Sequence, residues 1–204
     1  ILERLNSCDA GLLGPGLGRS QDLPKLISKI LEETETPLIL DADGLYAIKD
    51  RKDVLRKRAE KGLLTILTPH EGEFHYLGGE LAAGREKAAL DFAQEYGCIL
   101  VLKGPGTVTA LPDGSCYVNT TGNNGMAKGG SGDVLGGMIL GMLGQMVAAH
   151  KHDGRYTGNS IRTETIEQAQ EDSLFLKEAG HMTALAVYLH GLAGDLARTE
   201  LGEY

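Results

Sequence analysis

Three short stretches, Leu38-Ile39-Leu40, Leu63-Leu64-Thr65-Ile66-Leu67 and Ile99-Leu100-Val101-Leu102, are apolar at nearly every position, and segments of helical pattern separate them. A strand with one wet face alternates polar and apolar residues, so a strand without that alternation is covered on both faces. Strands of this kind, alternating with helices, argue for an α/β fold around a largely parallel sheet. Residues 9–14 read as one more short buried strand, and residues 107–111 and 115–119 as a hairpin about the Pro112-Asp113-Gly114 turn.

The helices are marked in the same way. Asp22 can cap a helix whose first turn takes Pro24, with Leu23, Leu26, Ile27, Ile30 and Leu31 on one face. The charged residues 49–61, with apolar Val54 and Leu55, read as a surface helix; residues 84–96 read as a helix with Ala88, Ala89, Phe92 and Ala93 inward. Residues 147–180 read as a polar surface excursion with one solvated helix, in which His150 and His152 are solvated loop histidines. Residues 179–196 form a last helix carrying Leu185, Leu189, Leu192, Ala193 and Leu196.

Open α/β sheets bind ligands beyond the carboxyl ends of their strands, so the residues after each apolar run are the functional candidates. Asp41 and Asp43 follow the first; a helix cap plus a solvated charge explains that pair equally well. His70 and Glu73 can both face a pocket from the start of a helix, although Glu73 alone reads as a capping residue. Lys103, before the Gly104-Pro105-Gly106-Thr107 turn, can meet a phosphate as a point charge. Gly14-Pro15-Gly16-Leu17-Gly18 allows close approach of a ligand, or is a plain strand-to-helix connection.

The densest candidate is the stretch 122–133, five of whose residues are glycine between Gly122 and Gly132, running into the apolar Val134-Leu135-Gly136-Gly137-Met138-Ile139. It places residues 129–132 at a helix N-terminus, where unpaired N–H groups and the helix dipole make a phosphate site. Asp133 follows in the first turn, and a carboxylate base beside a phosphate cradle is what phosphoryl transfer to a hydroxyl needs. The spacing is neither the Walker nor the Rossmann glycine pattern. On glycine spacing alone, a tight turn with an acidic residue reads as well.

Composition narrows the partners. A formal net charge of −8 without a basic run argues against a nucleic-acid surface. The apolar residues 134–149, broken by Gln145, fall short of the roughly 20 residues of a spanning helix and read as a buried core helix, so no membrane partner is expected. Cys8, Cys98 and Cys116 have no metal-ligand spacing and read as reduced thiols of a cytoplasmic protein.

Taken in order, Gly14-Pro15-Gly16-Leu17-Gly18, Asp41-Ala42-Asp43-Gly44-Leu45, Thr68-Pro69-His70-Glu71-Gly72-Glu73, Lys103-Gly104-Pro105-Gly106-Thr107, the 122–135 stretch and His190-Gly191-Leu192-Ala193-Gly194-Asp195 resemble the ADP-dependent NAD(P)H-hydrate dehydratases of the ribokinase-like superfamily. The resemblance covers nearly the whole chain apart from residues 147–180. It implies a three-layer sandwich in a single domain over residues 1–204, with further strands and helices before Ile1 and a short helix after Tyr204. Residues 147–180 would then be a lid, an oligomer contact or a simple insertion. It also implies a lyase that returns the S-epimer of hydrated NADH or NADPH to the working cofactor. ADP becomes AMP and phosphate as the ring hydroxyl is phosphorylated and eliminated.

Residue by residue, the resemblance implies Asp133 as the catalytic base. It puts Lys103, Gly104, Pro105, Gly106 and Thr107, with Gly129, Gly130, Ser131 and Gly132, on the nucleotide. Gly16, His70 and Asp133 meet the hydrated dinucleotide, and Glu73 helps position Mg²⁺. ATP in place of ADP, a homo-oligomer, and an epimerase partner, fused or separate, are further expectations. Glu71 and Asn124 stand where proline is expected. A ribokinase-like kinase of a small vitamin-type alcohol and a nucleotide-binding module without catalysis are the alternative readings.

Overall fold

The computed structural model describes residues 1–153 and 166–202, with side chains from residue 173 onward in the second stretch. Six strands form one sheet in chain order: β1 (Gly11–Leu13), β2 (Leu38–Leu40), β3 (Thr65–Leu67), β4 (Ile99–Leu102), β5 (Val108–Ala110) and β6 (Cys116–Val118). β1 to β4 run parallel, and β5 and β6 return antiparallel as the expected hairpin.

Parallel neighbours need crossovers. α2 (Leu23–Glu33) makes the first, α3 (Asp43–Ala47) with α4 (Asp53–Glu60) the second, and α5 (Glu71–Tyr76) with α6 (Arg85–Tyr96) the third; a short α1 (Leu2–Leu5) precedes them. After the hairpin come α7 (Ser131–His152) and α8 (Ile166–Leu201). The strands divide their side chains between two cores. Leu38, Leu40, Leu67, Leu100 and Leu102 pack with the crossover helices. Ile39, Ile66, Ile99 and Val101 pack with α7 and α8. Each such side chain is worth about 1.5–3 kcal/mol when fully buried, so neither face of a strand can be polar. The result is the three-layer sandwich with helices on both faces.

Several local expectations change. Asp22 stands at the N-cap of α2 with a helical backbone, and its side chain makes no cap bond; Leu26 is 41% exposed. The charged stretch 49–61 is not wholly a surface helix. Arg58 is 2% exposed, and its guanidinium donates to the carbonyls of Leu31, Thr34 and Thr36 and to Thr65 Oγ1. That fan of bonds ties α4 to the end of α2, to the α2–β2 connection and to β3.

The polar excursion shrinks from both sides, because α7 continues to His152 and α8 has begun by Ile166; residues 154–165 lie outside the described residues. His150 is buried rather than solvated, with Nε2 2.7 Å from Glu178 Oε2 and its ring edge-on to Phe175. α7 is 22 residues, longer than its apolar run suggests, and is long and apolar enough to cross a membrane by length and composition. Its Leu135, Ile139, Leu143, Met146 and Val147 are buried in the second core. On α8, Leu185, Leu189 and Leu196 face outward, and Ala179, Gly180, Thr183, Ala186, Val187 and Gly191 are buried. Small residues win that face because the helix lies close to its neighbours: a Cβ on Gly180 would stand 2.3 Å from Leu111 Cδ2.

Candidate active site

The carboxyl ends of β1 to β4 share one edge of the sheet, and each hands its next residues to the same region. β2 delivers Asp41, whose side chain is 3% exposed, and β4 delivers Lys103; Lys103 Nζ donates to Asp41 Oδ1 at 2.8 Å. β3 delivers Thr68, Pro69 and His70, and its pairing with β4 is prolonged by a bridge between His70 and Lys103. Lys103 Nζ also lies 3.8 Å from Glu73 Oε2. One ammonium therefore serves two carboxylates in a largely desolvated spot, where charge interactions are strong.

The backbone around this pair is tightly constrained. Ala42, at φ 47° and ψ −118°, is the non-glycine residue with positive φ among the described residues. With the Gly44 amide donating to the Asp41 carbonyl at 2.9 Å, it occupies the first central position of a type II′ turn, where glycine is the usual residue. A Cβ on Gly14 would fall 1.7 Å from the Asp41 carbonyl oxygen, and one on Gly44 2.5 Å from the Leu13 oxygen. The end of β1 and the turn after β2 thus touch backbone to backbone.

His70 and Glu73 form a reciprocal cap at the start of α5: the His70 amide donates to Glu73 Oε2 at 2.9 Å, and the Glu73 amide donates to His70 Nδ1 at 3.1 Å. Glu73 is thus a capping residue as well as a neighbour of Lys103. In the turn after β4, Thr107 Oγ1 donates to the Gly104 carbonyl at 2.9 Å. Arg85 lies beneath it, donating to the Leu102 carbonyl at 3.0 Å and pairing with Glu71.

α7 begins against the ion pair. Gly130 is its N-cap at φ 90°, and Ser131, Gly132 and Asp133 form its first turn. A Cβ on Gly132 would lie 3.4 Å from Lys103 Nζ and 3.9 Å from Asp41 Oδ2. Of the first-turn amides, which lack intrahelical partners, that of Ser131 donates to the Lys128 carbonyl at 3.2 Å, and Gly132 stands next to the lysine.

A second wall comes from the loop between the hairpin and α7, clamped to α8. Asp195 accepts from the Gly122 amide at 2.8 Å and from Asn123 Nδ2 at 2.9 Å; these bonds, the amide first, hold its carboxyl below its ordinary value. Thr121 Oγ1 donates to the Tyr188 carbonyl at 2.8 Å. The loop can approach because α8 is glycine there: a Cβ on Gly191 would meet Thr121 Oγ1 at 2.3 Å, and one on Gly194 would meet Met126 Sδ at 2.4 Å. His190 Nε2 lies 3.5 Å from Ser131 Oγ, and burial pushes its pKa down.

Between these walls lies a cleft of about 660 Å³. It brings together His70, Lys103, Gly104, Pro105, Gly106, Thr107, Ser131 and Gly132, with Asn119, Thr121, Asn123 and His190 opposite. Gly129, Gly130 and Asp133 stand outside the cleft wall at the start of α7, and Asp133 is exposed. Gly16, at φ 72°, stands outside it in the exposed β1–α2 turn. Sequence reasoning placed Asp41 at a strand end but could not see it as the partner of Lys103, 62 residues away. His190 and Asp195 had a signal in the His-Gly-x-x-Gly-Asp pattern, without an assigned role.

A family model described as NAD(P)H-hydrate dehydratase matches residues 1–203. The chain belongs to that family. A bifunctional NAD(P)H-hydrate repair enzyme of Moorella thermoacetica is 37% identical over 207 residues, which is 100% of this chain and 33% of the relative. A solved structure of the ADP/ATP-dependent NAD(P)H-hydrate dehydratase from Bacillus subtilis, co-crystallised with ATP/Mg²⁺ and soaked with CoA, is 31% identical. It superposes with a TM-score of 0.64, covering 98% of this chain and 63% of that one. A ribokinase-like superfamily protein from Enterococcus faecalis matches with a TM-score of 0.65 at 26% identity, over 97% of this chain and 59% of that one. The chain spans about one third of the bifunctional relative, and within the NAD(P)H-hydrate dehydratase family its fold is ribokinase-like.

Proposed function

We propose that this chain dehydrates the S-epimer of hydrated NADH or NADPH at the expense of ADP, in the cytoplasm. The observation that carries the reading is the glycine-lined start of α7 abutting Lys103 and Asp41, with Asp133 in its first turn. The nucleotide lies in the cleft, with its phosphates against Lys103, the Gly104-Pro105-Gly106-Thr107 turn and the amides of residues 129–132. The hydrated ring lies toward Gly16 and His70, its hydroxyl at Asp133.

Hydroxide is a poor leaving group, whereas a phosphate ester leaves well. Asp133 takes the proton of the ring hydroxyl as its oxygen bonds to the terminal phosphorus of ADP, and the bond from that phosphorus to the AMP oxygen breaks. A base of this kind is worth about 10²–10⁴ in rate. The amides of residues 129–132 stabilise charge on the transferred group; loss of one such donor costs about 10²–10³. The ring nitrogen then pushes out phosphate, and the neighbouring carbon gives up a proton to restore the double bond. The products are NAD(P)H, AMP and phosphate.

Mg²⁺ suits the donors present. Asp41 and Glu73 are hard oxygen ligands converging on one ammonium, and magnesium is commonly held through one or two carboxylates plus substrate phosphates. Glu73 is the residue to hold it, and its charge would neutralise the phosphates. Assembly as a homo-oligomer, use of ATP, and an epimerase acting alongside belong to the same reading.

The test is recovery of the near-ultraviolet absorbance of reduced nicotinamide from hydrated NADH with Mg²⁺ and ADP. Recovery that needs ADP, and falls at least about 10²-fold in Asp133→Asn, is expected. A stable phosphorylated product of a small alcohol, with no recovery, would replace the dehydratase by a kinase.

A further inference from the structure

Arg19, Tyr46, Lys49 and Tyr76, on the segments that follow β1, β2 and β3, form a cationic and aromatic stack of which the mechanism makes no use. The guanidinium carbon of Arg19 lies 4.5 Å over the Tyr46 ring. Tyr46 stacks on Tyr76 with centroids 4.9 Å apart and 18° between planes, and Lys49 Nζ lies 4.3 Å from the centre of the Tyr76 ring. Tyr46 projects from α3, which starts at Asp43, and Tyr76 ends α5, which starts beside His70. At about 1.5 Å per residue, Tyr76 is roughly 9 Å along the chain axis from His70.

Arg19 is fixed at one point. Its Nε donates to Asp43 Oδ1 at 3.1 Å, while Asp43 Oδ2 accepts from the Gly18 amide at 2.9 Å. Among the described residues no hydrogen bond uses its two terminal nitrogens, and the side chain is 64% exposed. An arginine pinned at Nε over an aromatic ring offers its guanidinium plane to a base and an open fork to a phosphate. It stands three residues past Gly16, which the dehydratase reading puts on the dinucleotide.

We propose that Arg19 and Tyr46 form a subsite for the adenosine 2′-phosphate, so that hydrated NADPH is preferred over hydrated NADH. The proposal rests on the dehydratase reading for the position of the nicotinamide end. The ribose carbon bearing the 2′-phosphate neighbours the carbon bearing the base, so a base on the stack sets that phosphate beside the fork. The pyrophosphate hangs from the other end of the ribose, nearer the glycine turn.

The experiment measures kcat/KM for both hydrates, and Kd for NADPH and NADH by calorimetry, in the parent, Arg19→Ala, Arg19→Lys and Arg4→Ala proteins. The NADPH-over-NADH ratio is expected to fall about tenfold in Arg19→Ala, the scale of one hydrogen bond to a charged group. Part of it returns in Arg19→Lys, and Arg4→Ala, at the opposite end of the sheet, leaves it in place. Equal losses for both dinucleotides, as an arginine on the shared pyrophosphate would give, overturn the proposal, and so does an unmoved ratio. Should neither hydrate turn over, the dehydratase reading fails while the Kd ratio still decides the subsite; absence of dinucleotide binding overturns it.

Discussion

At the scale of single residues, the site spends stability on position. Ala42 holds a conformation that L-residues avoid, at a cost of about 1–3 kcal/mol, and it does so one residue after the carboxylate that holds Lys103. Replacing it with glycine removes the strain but adds about 0.5–1 kcal/mol of chain entropy to the unfolded state. Ala42→Gly is therefore expected to stabilise the protein by about 1 kcal/mol, read as a higher urea midpoint at unchanged slope. An unchanged or lower midpoint would show that the turn is not strained. Nothing in the sequence announces this: alanine is silent where glycine would signal a turn, so the strain became visible only in the backbone angles of Ala42 itself.

Between elements, glycine replaces side chains as the means of contact. The loop at Thr121 to Met126 meets α8 where Gly191 and Gly194 leave notches. In Gly191→Ala the new methyl would overlap the Thr121 side chain at 2.3 Å and its carbonyl carbon at 2.8 Å, so the loop has to move. We expect the KM for ADP to rise more than kcat falls, because the displaced wall lines the cleft proposed for the nucleotide; an unchanged KM would separate that wall from the nucleotide. The elements themselves were legible. Short unbroken apolar runs, alternating with helical periodicity, identify β2, β3, β4, α2 and α6, and the Pro112-Asp113-Gly114 turn identifies the hairpin. Faces were less legible where the packing distance is short. Leucine marks a buried face only when there is room for it, and on α8 alanine and valine took that place. Burial of Arg58 was hidden as well, since one arginine among the three of a charged run carries no sign that four acceptors await it.

For the molecule as a whole, acid should loosen the side of the fold where α8 meets the start of α7. Burial lowers the pKa of His190 from its ordinary 6.5, so the unfolded chain holds the extra proton first as pH falls. The contribution of this group is complete above 6.5 and is lost below it, down to the depressed folded value. Urea midpoints should drop as pH falls below about 6.5, and less steeply in His190→Gln; equal slopes in both proteins would refute the assignment. The clamp at Asp195 behaves alike at lower pH, because the Gly122 amide and Asn123 favour its ionised form. Its contribution is present above the ordinary 3.8 and is lost as pH falls through the lower folded value.

Strand order also fixes an itinerary. The turn proposed to hold the nucleotide follows β4, the Gly16 turn follows β1, and the start of α7 stands against the ion pair that joins the ends of β2 and β4. In the proposed reaction the two reactants approach Asp133 from these separate turns, so neither need wait for the other, and the hydroxyl takes the phosphoryl group directly from the nucleotide. Under that proposal steady-state velocities should follow a ternary-complex law, with intersecting rather than parallel reciprocal plots.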